Sequence, residues 1–159
     1  MSISQILQPN QYTIHGNLNP TQSGTIEDEG RLIFQFAGTT LPIYETRRYY
    51  YSVVGNCVTF QALIEIQNKG NGAGSLKWDL PEAFPQGAAI GGEPKQQLGL
   101  SIFGQADPLK FKTLYAFIDT GKEISLRGRR ANDGIDENIS DNDINVASTI
   151  IIFGSYFTL

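Results

Sequence analysis

The 159 residues carry 12 Lys and Arg against 16 Asp and Glu, a formal charge of −4, with a single cysteine and a single histidine. That balance excludes a general nucleic-acid binder, which needs an excess of cations to displace phosphate counterions, and the lone Cys57 excludes an intramolecular disulfide. The length is that of one domain, able to bury roughly two-thirds of its unfolded surface without staples.

Residues 1–24 are polar, with scattered apolar side chains at Ile6, Leu7, Tyr12, Ile14 and Leu18. Such a segment lacks the apolar density for its own core and is expected to be an arm that orders on a partner. It has neither the basic start nor the apolar run of a secretory signal, and no later stretch is long and apolar enough for a membrane-spanning helix. The expectation is a soluble protein with no membrane partner.

Strand-like runs follow at residues 25–36, 47–54, 56–67, 74–80, 98–103, 110–118, 123–127 and 148–158. Glu27-Asp28-Glu29 reads as a solvated turn ahead of a strand at Arg31. In the third run Val58, Phe60, Ala62, Ile64 and Ile66 share one face, because successive strand side chains point to opposite sides. Thr59, Gln61, Glu65 and Gln67 share the other, with Leu63 as the apolar exception. A one-residue slip would expose the whole apolar set, so the register is specific. Gly55-Asn56 before this run and the glycine-rich 67–75 after it predict a β-meander. Leu76, Trp78 and Leu80 alternate with Lys77 and Asp79, which places Trp78 in the core, and Pro81 ends the ladder because it has no N–H to donate. Residues 81–95 form a long loop.

Two strands are apolar on both faces. They are 114–118, with Tyr115 and Phe117 opposite Ala116, and 150–153, with Ile151 and Phe153 opposite Ile150 and Ile152. One face of each fits a core, and the other calls for a second partner such as a neighbouring subunit. Arg127, Arg129 and Arg130, with Arg47 and Arg48, supply guanidinium forks suited to carboxylates on an identical copy. These residues predict a subunit interface at Tyr115, Phe117, Ile151, Phe153, Arg127, Arg129 and Arg130.

The inventory for catalysis is poor. His15 lies in the polar arm, and Cys57 has no adjacent basic residue to lower its pKa. Asp133, Asp136, Glu137, Asp141 and Asp143 could ligate calcium but do not match an EF-hand spacing, and solvated loop charges are the plainer reading. Asp133 and Asp136 are the best carboxylates for hydrolysis of a glycan, which would need a defined separation between two convergent groups. Tyr49-Tyr50-Tyr51 could present a ring to a sugar, although core and intersubunit packing are commoner uses. No catalytic residue, cofactor or metal ligand is assigned.

The segments 51–58 (YSVVGNCV), 72–81 (GAGSLKWDLP) and 150–157 (IIIFGSYF), in that order, resemble the β-sandwich domains of tailed-bacteriophage structural proteins. Gly121 to Leu126 and Ser140 to Ile144 are similar to that group's penultimate strand and the turn before its last strand. The likeness covers about residues 47–159. It implies a virion component: a capsid decoration (cement) protein or the trimeric receptor-binding tip of a tail or head fibre.

Together these readings give an all-β chain, an antiparallel β-sandwich of jelly-roll type over residues 25–159 with an extended N-terminal arm over 1–24. The expected role is non-enzymatic: a homotrimeric capsid decoration protein on the capsid exterior, bound to the major capsid protein through Ile6, Leu7, Tyr12 and Ile14. A chain that opens with only a short polar arm, without heptads or repeats for a shaft, favours decoration over a fibre tip. The alternative is a fibre tip that recognises a host-surface glycan.

Overall fold

The computed structural model describes residues 22–88, 96–118 and 121–158. The arm residues Ile6, Leu7, Tyr12 and Ile14, together with His15, lie outside the described residues. The chain is all-β. Its strands are β1 (Gln22–Glu27), β2 (Arg31–Phe36), β3 (Ile43–Val54), β4 (Cys57–Asn68), β5 (Ala73–Asp79), β6 (Gln96–Gln105), β7 (Phe111–Ile118), β8 (Glu123–Arg130), β9 (Asp136–Asn138) and β10 (Ile144–Phe157), with one 3-10 turn at Asp141–Asp143. All ten belong to one antiparallel sheet in the order β1-β3-β4-β10-β6-β7-β8-β5-β2, with β9 beside β8.

The sheet curls into a half-barrel. Its edge strands β1 and β2 are consecutive in the chain and joined by the turn at Asp28, Glu29 and Gly30, where Asp28 and Gly30 take positive φ of 60° and 76°. The run read at 25–36 is therefore two strands at opposite ends of the sheet, and β1 begins at Gln22, inside the segment read as the arm. The turn is fastened to β3. The Asp28 N–H donates to the Arg47 carbonyl at 2.8 Å, Arg47 donates to the Gly30 carbonyl at 2.8 Å, and the Tyr49 hydroxyl donates to the Glu29 carbonyl at 3.0 Å.

The core fills the concave side. Val58, Phe60, Ala62, Ile64 and Ile66 are buried, as the alternation of β4 requires, and they meet Ile150, Ile152 and Tyr156 of β10 and Leu76 and Trp78 of β5. Each large member contributes roughly 1.5–3 kcal/mol by leaving water. Trp78 is fully buried, with its indole N–H donating to the Tyr49 hydroxyl at 2.9 Å and its ring edge-on to Tyr44 at 5.8 Å between centroids. Phe84 packs against Tyr49, Tyr51 and Phe60, with ring centroids 5.5–5.7 Å away.

The meander expectation holds only for β3 and β4. Gly55-Asn56 closes that hairpin, but β4 pairs with β3 and β10, whereas β5 pairs with β2 and β8. The glycine-rich segment is a crossover between the halves of the sheet, not a hairpin. Its glycines serve close approach: a Cβ on Gly70 would lie 2.3 Å from the Thr40 carbonyl oxygen, and one on Gly72 would lie 2.3 Å from the Phe34 ring.

Candidate functional site

The convex face of the sheet carries a row of residues held in register across seven strands: Tyr50, Gln61, Phe153, Gly99, Tyr115, Arg127 and Asn138. Strand spacing of about 4.8 Å sets the pitch of this row. Its centre is Gly99 of β6, flanked by Phe153 of β10 and Tyr115 of β7. A Cβ on Gly99 would sit 2.4 Å from the far end of the Phe153 ring, so that ring fills the position a side chain would occupy. Ile151 lies two residues further along β10, opposite Leu63 on one side and Ser101 on the other. Phe103 and Phe153 are exposed at 62% and 46%, while Ile151 and Leu63 are half-buried. The result is an apolar patch on the outside of the adjacent interior strands β4, β10 and β6.

Beyond Gly99 the face dips into a concave pocket of about 460 Å³ lined by Gln97, Thr113, Tyr115, Phe117, Arg127, Arg129 and Asp136. Tyr115 and Phe117 form its aromatic wall, edge to face at 5.4 Å. Arg129 meets Asp136 through two bonds, Nε to Oδ1 at 3.0 Å and a terminal nitrogen to Oδ2 at 3.3 Å. The Arg129 guanidinium, with the Tyr115 phenol beside it, holds the Asp136 carboxyl below the ordinary aspartate range. Burial, followed by the Asp136 charge, pushes the Tyr115 phenol above its usual value. Arg127 differs from Arg129, because among the described residues it has no carboxylate partner and its Nε is buried without a hydrogen bond.

Of the seven interface residues read from sequence, six share the convex face. Ile151 and Phe153 belong to the apolar patch, and Tyr115, Phe117, Arg127 and Arg129 line the pocket. Arg130 is set apart. It has the strand parity of the buried Ile124 and Leu126, and it pairs with Asp133 and, at 3.8 Å, with Glu137. Carboxylates of the chain itself therefore occupy Arg129 and Arg130, and Arg48 likewise pairs with Glu27 at 2.7 Å. Gln97 and Thr113 escaped the sequence reading, since neither side chain signals a site until β6, β7 and β8 are paired.

The acidic run is knitted into the fold. Lys110 reaches both Glu137 and Asp143 at 2.6 Å, and Asp141 accepts from the Gly74 N–H at 2.7 Å. Asp143 caps the 3-10 turn by accepting from the Ser140 N–H and hydroxyl, each at 2.8 Å. Burial alone would raise the Asp143 carboxyl, but the bonds from Lys110 and Ser140 outweigh it and hold the group below its ordinary value. Among the described residues no group of three His, Cys, Asp or Glu side chains is placed to hold a metal ion. Asp133 and Asp136 each bind a guanidinium rather than converging on a common cleft. In the tyrosine run only Tyr50 faces outward, exposed at 52%, and Tyr49 is core.

Comparison with protein-family models finds no match, and comparison with curated protein sequences finds none either. No helix among the described residues is long and apolar enough to cross a membrane.

Proposed function

We propose that the chain is a non-enzymatic structural protein of a virion, a capsid decoration protein that assembles as a homotrimer through the convex face of β4, β10 and β6. The observation that carries this reading is the apolar patch of Leu63, Ile151, Phe153 and Phe103 on the solvent side of three adjacent interior strands. A sheet face that meets only water tends to alternate to polar there, and a cluster of large apolar side chains on such a face suits a contact surface. The virion setting and the number of three copies rest on the resemblance of residues 47–159 to phage β-sandwich proteins. In this reading the half-barrel belongs to the jelly-roll class. The chain crosses from one half of the sheet to the other at β1–β2 and at β4–β5, as the strands of a rolled sandwich do. Residues 1–21, with Ile6, Leu7, Tyr12 and Ile14, would attach to the major capsid protein.

Co-sedimentation with phage heads that lack the protein tests the assignment. The intact chain should pellet with heads, and a variant without residues 2–21 should stay folded in the supernatant. Binding to tails or host cells instead of heads would replace decoration with the second reading, a fibre tip that recognises a glycan. The pocket beside Arg127 favours that second reading.

A further inference from the structure

We infer that the pocket between β6, β7 and β8 is a binding site for a carboxylated saccharide, with Arg127 receiving the carboxylate and the Tyr115–Phe117 wall receiving a face of the sugar ring. The assignment requires neither location on a virion.

Charge favours an anion. The ionised groups lining the pocket are Arg127, Arg129 and Asp136, two positive and one negative, which leaves one cation unmatched. Asp136 already grips Arg129 with both oxygens, so the unmatched cation is Arg127, the residue whose Nε is buried without a partner. A carboxylate is the group a guanidinium fork fits best.

The surroundings of that charge suit a sugar. Gln97 and Thr113 add neutral donors and acceptors, and the Asp136 oxygens keep lone pairs for hydroxyl groups. An aromatic wall beside a few fixed polar groups suits a ring with apolar faces and polar edges, and a volume of about 460 Å³ is in the range of small-ligand sites. The site also lies on the face of the sheet, where the backbone groups of β7 and β8 are already paired in the ladder. An extended peptide laid there would find no main-chain partners and would bury its own N–H and C=O groups unpaired. A sugar acid carries hydroxyls that side chains and water can satisfy.

Calorimetric titration of the intact chain with trigalacturonate, its fully methyl-esterified form and triglutamate tests the inference. The expected result is binding of trigalacturonate, with loss of roughly tenfold or more in affinity on esterification and for Arg127→Gln. The inference is overturned if trigalacturonate does not bind, if the ester binds equally, if triglutamate binds as tightly, or if a folded Arg127→Gln chain keeps full affinity. Trp78 fluorescence reports whether the variant is folded, and the ester comparison on the native chain decides the question without it.

Discussion

The Phe153 ring lies across Gly99, so that two residues from strands β10 and β6 together form one surface where an ordinary strand would place two separate side chains. The contact joins the apolar patch to the pocket wall at Tyr115. It also explains a glycine in mid-strand, where the residue otherwise weakens a sheet.

Gly99→Ala should turn the half-exposed Phe153 ring aside, and because the new Cβ meets only the far end of that side chain the cost should stay within about 1 kcal/mol, the low end of overpacking. Phe153→Ala should relieve most of that cost. A double-mutant cycle measured by urea unfolding therefore should show coupling of about 0.5 kcal/mol or more between the two positions, and additive effects would mean that the ring does not occupy this place.

The buried relay from the Trp78 indole through Tyr49 to the Glu29 carbonyl fastens the β1–β2 turn to the core. Tyr49→Phe keeps the ring but leaves the indole N–H and the carbonyl without partners, which should lower stability by about 1–3 kcal/mol. Trp78→Ala should cost about 3–5 kcal/mol. Chemical denaturation distinguishes the two, and an unchanged midpoint for Tyr49→Phe would contradict the relay.

The clip formed by Ser140, Asp143 and Lys110 should respond to acid. The Asp143 carboxyl binds its proton more weakly in the folded chain than in the unfolded one, so its contribution is complete above the unfolded value of about 3.9. It is lost as pH falls through the lower folded value. Burial opposes the charge on Lys110, but its bonds to Asp143 and Glu137 prevail and raise its pKa, so its contribution is complete below the unfolded value of about 10.4 and lost as pH rises through the folded one. Asp143→Asn should flatten the acid limb of a plot of stability against pH. An unchanged limb would place the acid-sensitive group elsewhere.

The parts of the fold legible in sequence are those with a local cause. The alternation of β4 announces its buried face, and the Leu76, Trp78 and Leu80 spacing announces the core of β5. What could not be read is pairing between distant segments. Ile151 pairs with Leu63 and Ser101, and nothing in β10 names those partners. The glycine-rich crossover imitates a hairpin because close packing and tight turns call for the same residue. The site was half legible for the same reason. Two-sided apolar strands and an arginine cluster are visible along the chain, but which arginine finds a carboxylate depends on β9, a strand of three residues with little pattern of its own.

Sedimentation equilibrium of the intact chain and of Ile151→Glu tests the central claim, that the convex face of β4, β10 and β6 is an assembly surface. The account predicts three subunits for the native chain and a folded monomer for the variant, with unchanged far-ultraviolet dichroism and Trp78 fluorescence. A native chain that stays monomeric at every concentration, or a variant that assembles like the native chain, would contradict it.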